Sequence, residues 1–476
     1  MLRTGNRILL VTALLSGLLA TGCDETAIYL VLHSRLKIPS QLDAVCLGLA
    51  AGGKLEFARR YPLTAAHAGA PLTLSVVAGE RNNRAVEVTL RGERRGWPAS
   101  WLRKSATFEE SEVRQVDLHI EACQGSTSAG KFSGAGRLTS QAGSQVALMP
   151  VPYARGQMVV VWVGGGKRFA MLGGTVHEKP SGAPQVGSAA LVRQLLSVDL
   201  DADCDLDLVL LLGGGQPEVW INDGDGAFAR AATGLPGPGS YRAAAAADIN
   251  DDGALDLVFA GRKSVTLLLG SAAKPGTFVL GTGRIPTLGD DEITSLALGL
   301  VNDDAHVDMV LGRGDTTPAA NLLLVNDTSG SGTFKVGPAF SRKARTVAVA
   351  LNDLNGDGTH ELVVGNAVGT PSLVFSNVRG TLDQKSPWSI TGSAVTGVAQ
   401  VLMQDLDNDC AVDLALATAS GPRIWLNRGK LTFAAAPVTG ADAACTNLSA
   451  GDVDGDGQLD LVVGGHADGA TWLRQR

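Results

Sequence analysis

Short apolar runs broken by glycine and acidic loops recur along the chain: "LVLLLGGG", "LVFAGR", "MVLGRG", "LVVGNA", "LALATA" and "LVVGGH". Alternating stretches such as "RTVAVALN" and "VAQVLMQ" precede some of these loops, and "EVWIND", "VTLLLG", "NLLLVND", "SLVFSN", "RIWLNR" and "ATWLRQ" follow the runs. Next comes a glycine-led "GAF", "GTF", "GTF" or "GTL", or the related "LTF". The period is that of strands, with no helical spacing. The acidic loops begin at 199, 248, 300, 353, 405 and 452, a repeat of about 50 residues. Three or four short strands per repeat of this length predict the blades of a β-propeller, with a solenoid as the alternative.

Six repeats carry an acidic loop. Residues 135–197 are long enough for another unit, so the expected fold is all-β, a seven-bladed propeller with six blades as the alternative. The last repeat stops short of its outer strand, so an upstream segment is expected to complete that blade. Residues 23–123 lack the repeat. Stretches such as "TAIYLVLH", "AVEVTLRG" and "VRQVDLHIEAC" predict a small β-sandwich there. Residues 124–137, rich in Gly and Ser, read as a linker, leaving 138–476 for the propeller.

Residues 1–22 read as a signal peptide, with Arg3 and Arg7 ahead of an apolar stretch too short to span a bilayer. "LLATGC" resembles the lipobox of bacterial lipoproteins, which implies cleavage before Cys23 and a lipid on it. The expected location is the bacterial cell envelope, at the outer membrane, in the periplasm or at the surface. Export permits disulfides. Cys46 and Cys123 stand near the ends of the sandwich and are expected to clasp it, and Cys410 and Cys445 to staple neighbouring blades.

The chain has a formal net charge of −7. Twenty of its 47 acidic residues stand at candidate ligand positions of the six repeated loops. Clustered carboxylates repel unless a cation sits among them, and hard cations such as Ca²⁺ take six to eight oxygens. In "DVDGDGQLDL" the acidic residues Asp452, Asp454, Asp456 and Asp460 fall at positions 1, 3, 5 and 9, with Gly457 at position 6. An EF-hand needs Glu at position 12, where Val463 stands, so that motif is excluded.

The pattern DxDxDGxxDL followed by a strand resembles FG-GAP/VCBS repeats, which form the propeller of integrin α-subunits and many bacterial surface proteins. The resemblance covers roughly residues 140–476. It implies calcium ligands at Asp199, Asp201, Asp203 and Asp207 in loop 1, and Asp248, Asn250, Asp252 and Asp256 in loop 2. In loop 3 it leaves Asn302, Asp304 and Asp308, because Leu300 stands at position 1. It further implies Asp353, Asn355, Asp357 and Glu361 in loop 4, Asp405, Asp407, Asp409 and Asp413 in loop 5, and the four aspartates of loop 6. Cys204 and Cys410 replace the usual Gly in loops 1 and 5. About five or six structural Ca²⁺ are expected.

The chain has no GxSxG, HExxH, Walker loop or GxGxxG opening a helix. No basic run supports nucleic-acid binding. "RRGWPASWLRK", Arg94 to Lys104, reads as a turn over the sandwich, and His306 and His360 as exposed loop residues. The expected function is a calcium-stabilised envelope module for binding or adhesion, with a protein or glycan ligand. The alternatives are a propeller-based lyase or hydrolase acting on carbohydrate, and a structural part of an envelope assembly.

Overall fold

The computed structural model describes residues 192–475 except 204–205, 223–227, 232–233, 305, 328, 339–342, 386, 390–394, 408, 410, 430, 442, 452–458 and 467–468, and before them the strand segments between residues 9 and 178. The chain divides into two compact units, one principally Met1–Gln124 and the other principally from Gly125 onward. Among the described residues every extended element is a strand, and no helix is long and apolar enough to cross a membrane.

The first unit has two four-stranded sheets. One orders Leu9–Val11, Leu72–Val77, Ala27–Ser34 and Val113–Ile120, the last two pairing in parallel. The other orders Lys54–Pro62, Ala44–Ala51, Ala85–Arg94 and Trp97–Thr107. The turn expected over Arg94–Lys104 is corrected: Arg94 already pairs with Trp97, and Trp97–Thr107 is a strand. Cys46 lies on the strand Ala44–Ala51, while Cys23 and Cys123 lie outside the described residues.

Among the described residues the second unit is a β-propeller with six blades. Blade 1 runs through Val192–Val198, Asp207–Leu212, Glu218–Asn222 and Phe228–Arg230, hydrogen-bonded in that order. Blade 2 is Tyr241–Ala247, Asp256–Gly261, Val265–Gly270 and Phe278–Leu280; blade 3 is Ile293–Gly299, Asp308–Arg313, Leu322–Asn326 and Phe334–Val336. Blade 4 is Thr346–Asn352, Glu361–Asn366, Leu373–Phe375 and Trp388–Ser389; blade 5 is Val398–Gln404, Asp413–Thr418, Arg423–Asn427 and Phe433–Ala436. Blade 6 takes Asn447–Gly451, Asp460–His466 and Gly469–Gln475 from the end of the chain. Its next strand is the upstream segment Phe132–Thr139, antiparallel to Gly469–Gln475.

That upstream strand meets the expectation that an earlier segment completes the last blade, and among the described residues the six-bladed alternative is met in place of seven. Phe132–Thr139 belongs to the last blade, and the remaining upstream strands make two separate hairpins, Gln145–Pro150 with Met158–Val163 and Ala170–Leu172 with Val176–Glu178. Gln145–Pro150 lies beside the inner strands of both blade 6 and blade 1. The segment Phe132–Thr139 also takes in part of the stretch read as a linker.

The second strand of each blade reads as an unbroken apolar run because it is covered on both faces. "DLVLLL", "DLVFAG", "ELVVGN" and "DLALAT" are buried at every position. The cores lie between blades. Val209, Leu211 and Val219 of blade 1 join Leu257, Phe259 and Phe278 of blade 2, and Ile424 and Leu426 of blade 5 join Leu461, Val463 and Leu473 of blade 6. Phe228, Phe278 and Phe334 are the buried first residues of their outer strands, which explains the recurring "GAF" and "GTF".

Inner strands also meet through side-chain amides. The register slips near the start of the inner strand in blades 1 to 5, for instance between Val192 and Gln194 and between Val398 and Gln400. Gln194 then donates to the Ala244 carbonyl (3.0 Å) and accepts from its N–H (2.7 Å). Gln400 does the same with Leu448, at 3.2 and 2.7 Å. Each glutamine acts as an extra backbone unit facing the next blade.

Candidate metal centres

The acidic loops join the first and second strands of their blades. Two chain features shape them. Position 4 adopts a left-handed conformation at Ala202 (φ 61°), Asp251 (φ 56°) and Gly356 (φ 79°), and position 6 does so at Gly253 (φ 86°) and Gly358 (φ 96°). Position 2 is apolar and buried in every described loop: Leu200, Ile249, Val301, Leu354 and Leu406. The loop is therefore anchored by a hydrophobic side chain while its odd positions turn toward one another.

Position 9 is the most constrained. Asp207, Asp256, Asp308, Glu361, Asp413 and Asp460 are all fully buried at the start of the second strand. In blades 1 to 5 one carboxylate oxygen accepts the N–H of position 2: Leu200 on Asp207 (2.7 Å), Ile249 on Asp256 (2.9 Å), Val301 on Asp308 (3.1 Å), Leu354 on Glu361 (2.8 Å) and Leu406 on Asp413 (2.7 Å). The other oxygen accepts an N–H from the end of the third strand: Asn222 (2.8 Å), Gly270 (2.8 Å), Asn326 (2.9 Å), Asn377 (3.2 Å) and Asn427 (2.7 Å), with Gln475 (2.9 Å) doing so on Asp460. The expected ninth-position ligand is thus first a clasp, closing the loop onto its own blade.

The asparagines extend the clasp between blades. Asn326 Nδ2 donates to the Ile249 carbonyl of blade 2 (2.9 Å), Asn377 to Val301 of blade 3 (2.7 Å) and Asn427 to Leu354 of blade 4 (2.7 Å). Each also donates to its own blade, at Val307, His360 and Val412. The position-2 peptide is therefore held on both sides, its N–H by the carboxylate of its own blade and its carbonyl by the asparagine of the next. Sequence reasoning passed over this residue, although "WIND", "LVND", "FSN" and "WLN" carry it in four repeats. Asn427 is fully buried, so Asn427→Ala should lower stability by about 2–4 kcal/mol in urea unfolding. A loss below about 0.5 kcal/mol would mean that the inter-blade bond is not holding the loop.

The remaining ligand positions divide. In loop 1, Asp199, Asp201 and Asp203 bring carboxylate oxygens within 4.8 Å of one another, and in loop 5 Asp405, Asp407 and Asp413 do the same. At an effective dielectric of about 20, like charges at such separations repel by roughly 3–4 kcal/mol per pair. Among the described residues the buried Asp407 has one oxygen, Oδ1, with no hydrogen-bond partner, and Asn250 Oδ1 in loop 2 likewise. Oxygen-only donor sets with such orphaned atoms fit a hard divalent cation.

Loops 2 and 4 are closed by internal bonds. Asp248 accepts from Asp252 and Gly253 N–H, and Asn250 Nδ2 donates to Asp252. Asp353 accepts from Gly356, Asp357 and Gly358 N–H, and Asn355 Nδ2 donates to Glu361. In loop 3 Leu300 is buried and offers no side-chain oxygen at position 1, while Asn302 and Asp304 bond each other. Asp452, Asp454 and Asp456 of loop 6 lie outside the described residues, as do Cys204 and Cys410.

Both loop histidines are corrected. His360 is buried, and its N–H donates to the Leu300 carbonyl (2.8 Å) while Nδ1 accepts from Leu300 N–H (3.3 Å), so it ties loop 4 to loop 3. His306 Nδ1 lies 2.6 Å from Asp251 Oδ2, joining loop 3 to loop 2. In place of the expected staple, Cys445 is a free, buried thiol 3.8 Å from the Thr418 carbonyl, and burial pushes it up to about 11.

Burial raises the position-9 carboxyls more than their two backbone donors lower them. Asp256, Glu361 and Asp413 are pushed up to about 7 and Asp308 to about 6, with Asp207 well above the carboxylate range. Raised folded-state values mean that the folded chain holds protons which the unfolded chain has released. Stability without metal is therefore greatest below the unfolded values and falls as pH rises through about 4 to 7. In chelator, the melting temperature should be higher at pH 5.5 than at pH 8. A higher value at pH 8 would contradict the burial argument.

A family profile described as FG-GAP-like repeat matches residues 199–259 and 405–463, which begin at loops 1 and 5. The repeats are FG-GAP-like and are arranged as a propeller. A sequence search of curated proteins finds no match. Among solved structures, the chain is similar to an Agrocybe aegerita lectin described as recognising non-reducing terminal N-acetylglucosamine (18% identity, TM-score 0.44, 68% of this chain and 85% of that one). It is also similar to BBS1N solved in complex with ARL6DN (15% identity, TM-score 0.35, 60% of this chain and 92% of that one).

Proposed function

We propose that the chain is a calcium-stabilised binding or adhesion module of the bacterial cell envelope, held there by a lipid on Cys23 and recognising a protein or glycan ligand. The observation that carries the reading is the loop array. FG-GAP-like acidic loops recur on the same strand connection of successive blades, and in loops 1 and 5 three carboxylates converge. A bound calcium ion would supply positive charge among Asp199, Asp201 and Asp203 and among Asp405, Asp407 and Asp413. The chain's own residues do the rest. Position-9 carboxylates and the asparagines fix the loop ends, buried position-2 side chains anchor them, and the blades between them form a rigid platform.

The test is binding of the full chain to arrays of glycans and of extracellular proteins, with calcium and after chelation. Selective binding that chelation abolishes supports the module. Failure to bind any glycan or protein in calcium, by a chain shown to be folded, would remove the reading.

A further inference from the structure

Two departures from the repeat meet in space. At position 1, where the other loops carry Asp, loop 3 carries Leu300. At position 8, where the other loops carry Leu206, Leu255, Val307, Val412 and Leu459, loop 4 carries His360. The two residues are joined twice across the boundary between blades 3 and 4. His360 N–H donates to the Leu300 carbonyl (2.8 Å), and His360 Nδ1 accepts from Leu300 N–H (3.3 Å). Leu300 is 2% exposed and His360 5%, so both bonds lie away from water. The ring fits beside Gly299, where a Cβ would stand 2.5 Å from Nδ1.

The rest of loop 3 is held by protein as well. Val301 packs with Leu362, Phe375 and Leu382 of blade 4, and its N–H and carbonyl are taken by Asp308 and Asn377. Blade 4 also lays a turn on the loop. A Cβ on Gly380 would stand 2.7 Å from Asp303 N and 3.1 Å from Asn302 Cα, so backbone meets backbone over positions 3 and 4. Within the loop, Asn302 and Asp304 bond each other, and Asp304 Oδ1 accepts from His306 N–H (2.9 Å). Loop 3 has two carboxylates at ligand positions, Asp304 and Asp308, where each other loop has three or four. This donor set does not fit a hard cation that takes six to eight oxygens.

We propose that loop 3 is a metal-free joint, held by the Leu300–His360 pair in place of a cation. The proposal rests on the reading of the other loops as calcium sites and departs from it at loop 3. Asn302, Asp304 and Asp308 then leave the ligand set. The joint also divides the loop array: loops 1 and 2 lie before it and loops 4 to 6 after it, and the boundary between blades 3 and 4 keeps its bonds when metal is removed.

The experiment uses the full chain, stripped of metal, in calcium titrations against a competing chromophoric chelator. Wild type is compared with Asp304→Ala and Asp357→Ala, the position-5 residues of loops 3 and 4. Asp357→Ala should bind one ion fewer than wild type, and Asp304→Ala should bind as many. One ion fewer in Asp304→Ala would overturn the proposal. In parallel, His360→Leu, which restores the residue of loops 1, 2 and 6, is melted in calcium and in chelator. It leaves Leu300 N–H without its acceptor, so the melting temperature should fall by roughly 2–6 °C, equally in both conditions. No fall in either condition removes the joint. A fall confined to calcium would place an ion at the boundary and also overturn the proposal. If wild type takes up no calcium, the calcium reading falls by itself, and His360→Leu in chelator decides the joint: a lower melting temperature supports it, and an equal one removes it.

Discussion

Replacing Asp413 by alanine should destabilise the chain by about 3–5 kcal/mol, the largest effect expected of any single loop residue. The side chain is fully buried and its oxygens accept the N–H groups of Leu406 and Asn427, at 2.7 Å each. Alanine leaves both donors unsatisfied in a place that water does not reach. It also releases the start of loop 5 from the end of the third strand, on which Asn427 reaches across to blade 4. Asp413→Asn keeps one acceptor and sets an amide N–H against a backbone N–H, so its loss should be smaller. Asp409→Ala, whose carboxylate is partly exposed, should cost about 1 kcal/mol or less. Urea unfolding followed by fluorescence gives the three values. Similar losses for Asp409→Ala and Asp413→Ala would mean that position 9 is one ligand among several and not a clasp.

The second large effect runs against the repeat consensus. Blade 2 has Gly270 where blades 1, 3, 4 and 5 have asparagine. Gly270→Asn makes the repeats more alike, yet it should destabilise by roughly 2–4 kcal/mol. A Cβ at this position would overlap the Leu255 carbonyl oxygen, and backbone does not yield as a side chain would. The tie to the preceding blade is made differently here, by Gly276 N–H on the Leu200 carbonyl at 3.3 Å. Gly270→Ala should show most of the same loss, separating the steric term from the amide. A stabilised Gly270→Asn chain would show that the blade relaxes to accept the asparagine, and would contradict the packing around Leu255.

The repeat, the strand order within a blade and the place of the acidic loops were legible because they depend on local pattern. An apolar run ending in glycine and a loop of alternating acids report their surroundings within ten residues or so. The turn at Gly253 and Gly358 follows from the same local logic. The closing strand was legible as well, since the short last repeat called for an upstream segment and Phe132–Thr139 supplies it. The blade count was not, because the other strand-like stretches of residues 135–197 form two hairpins among the described residues and not a four-stranded sheet. The clasps were not legible either. Asn427 meets Leu354, and Gln194 meets Ala244, only once the blades stand side by side. Their signal was present as identity at a fixed place in the repeat, an asparagine after the third strand and an apolar residue at loop position 2. The acidic positions drew attention to charge, while position 9 turned out to be the buried member of the set and carries its hydrogen bonds inward.

The central claim is that the carboxylate loops are completed by calcium and that this completion stabilises the propeller. The most direct measurement is calorimetric unfolding of the full chain at pH 8 in calcium and after chelation, with bound metal counted on the same sample. The account predicts several calcium ions per chain and a large fall in melting temperature on their removal, since the clusters around Asp199 and Asp405 would then hold like charges within 4.8 Å. A chain that binds no calcium, or that melts at the same temperature with and without it, would contradict the account.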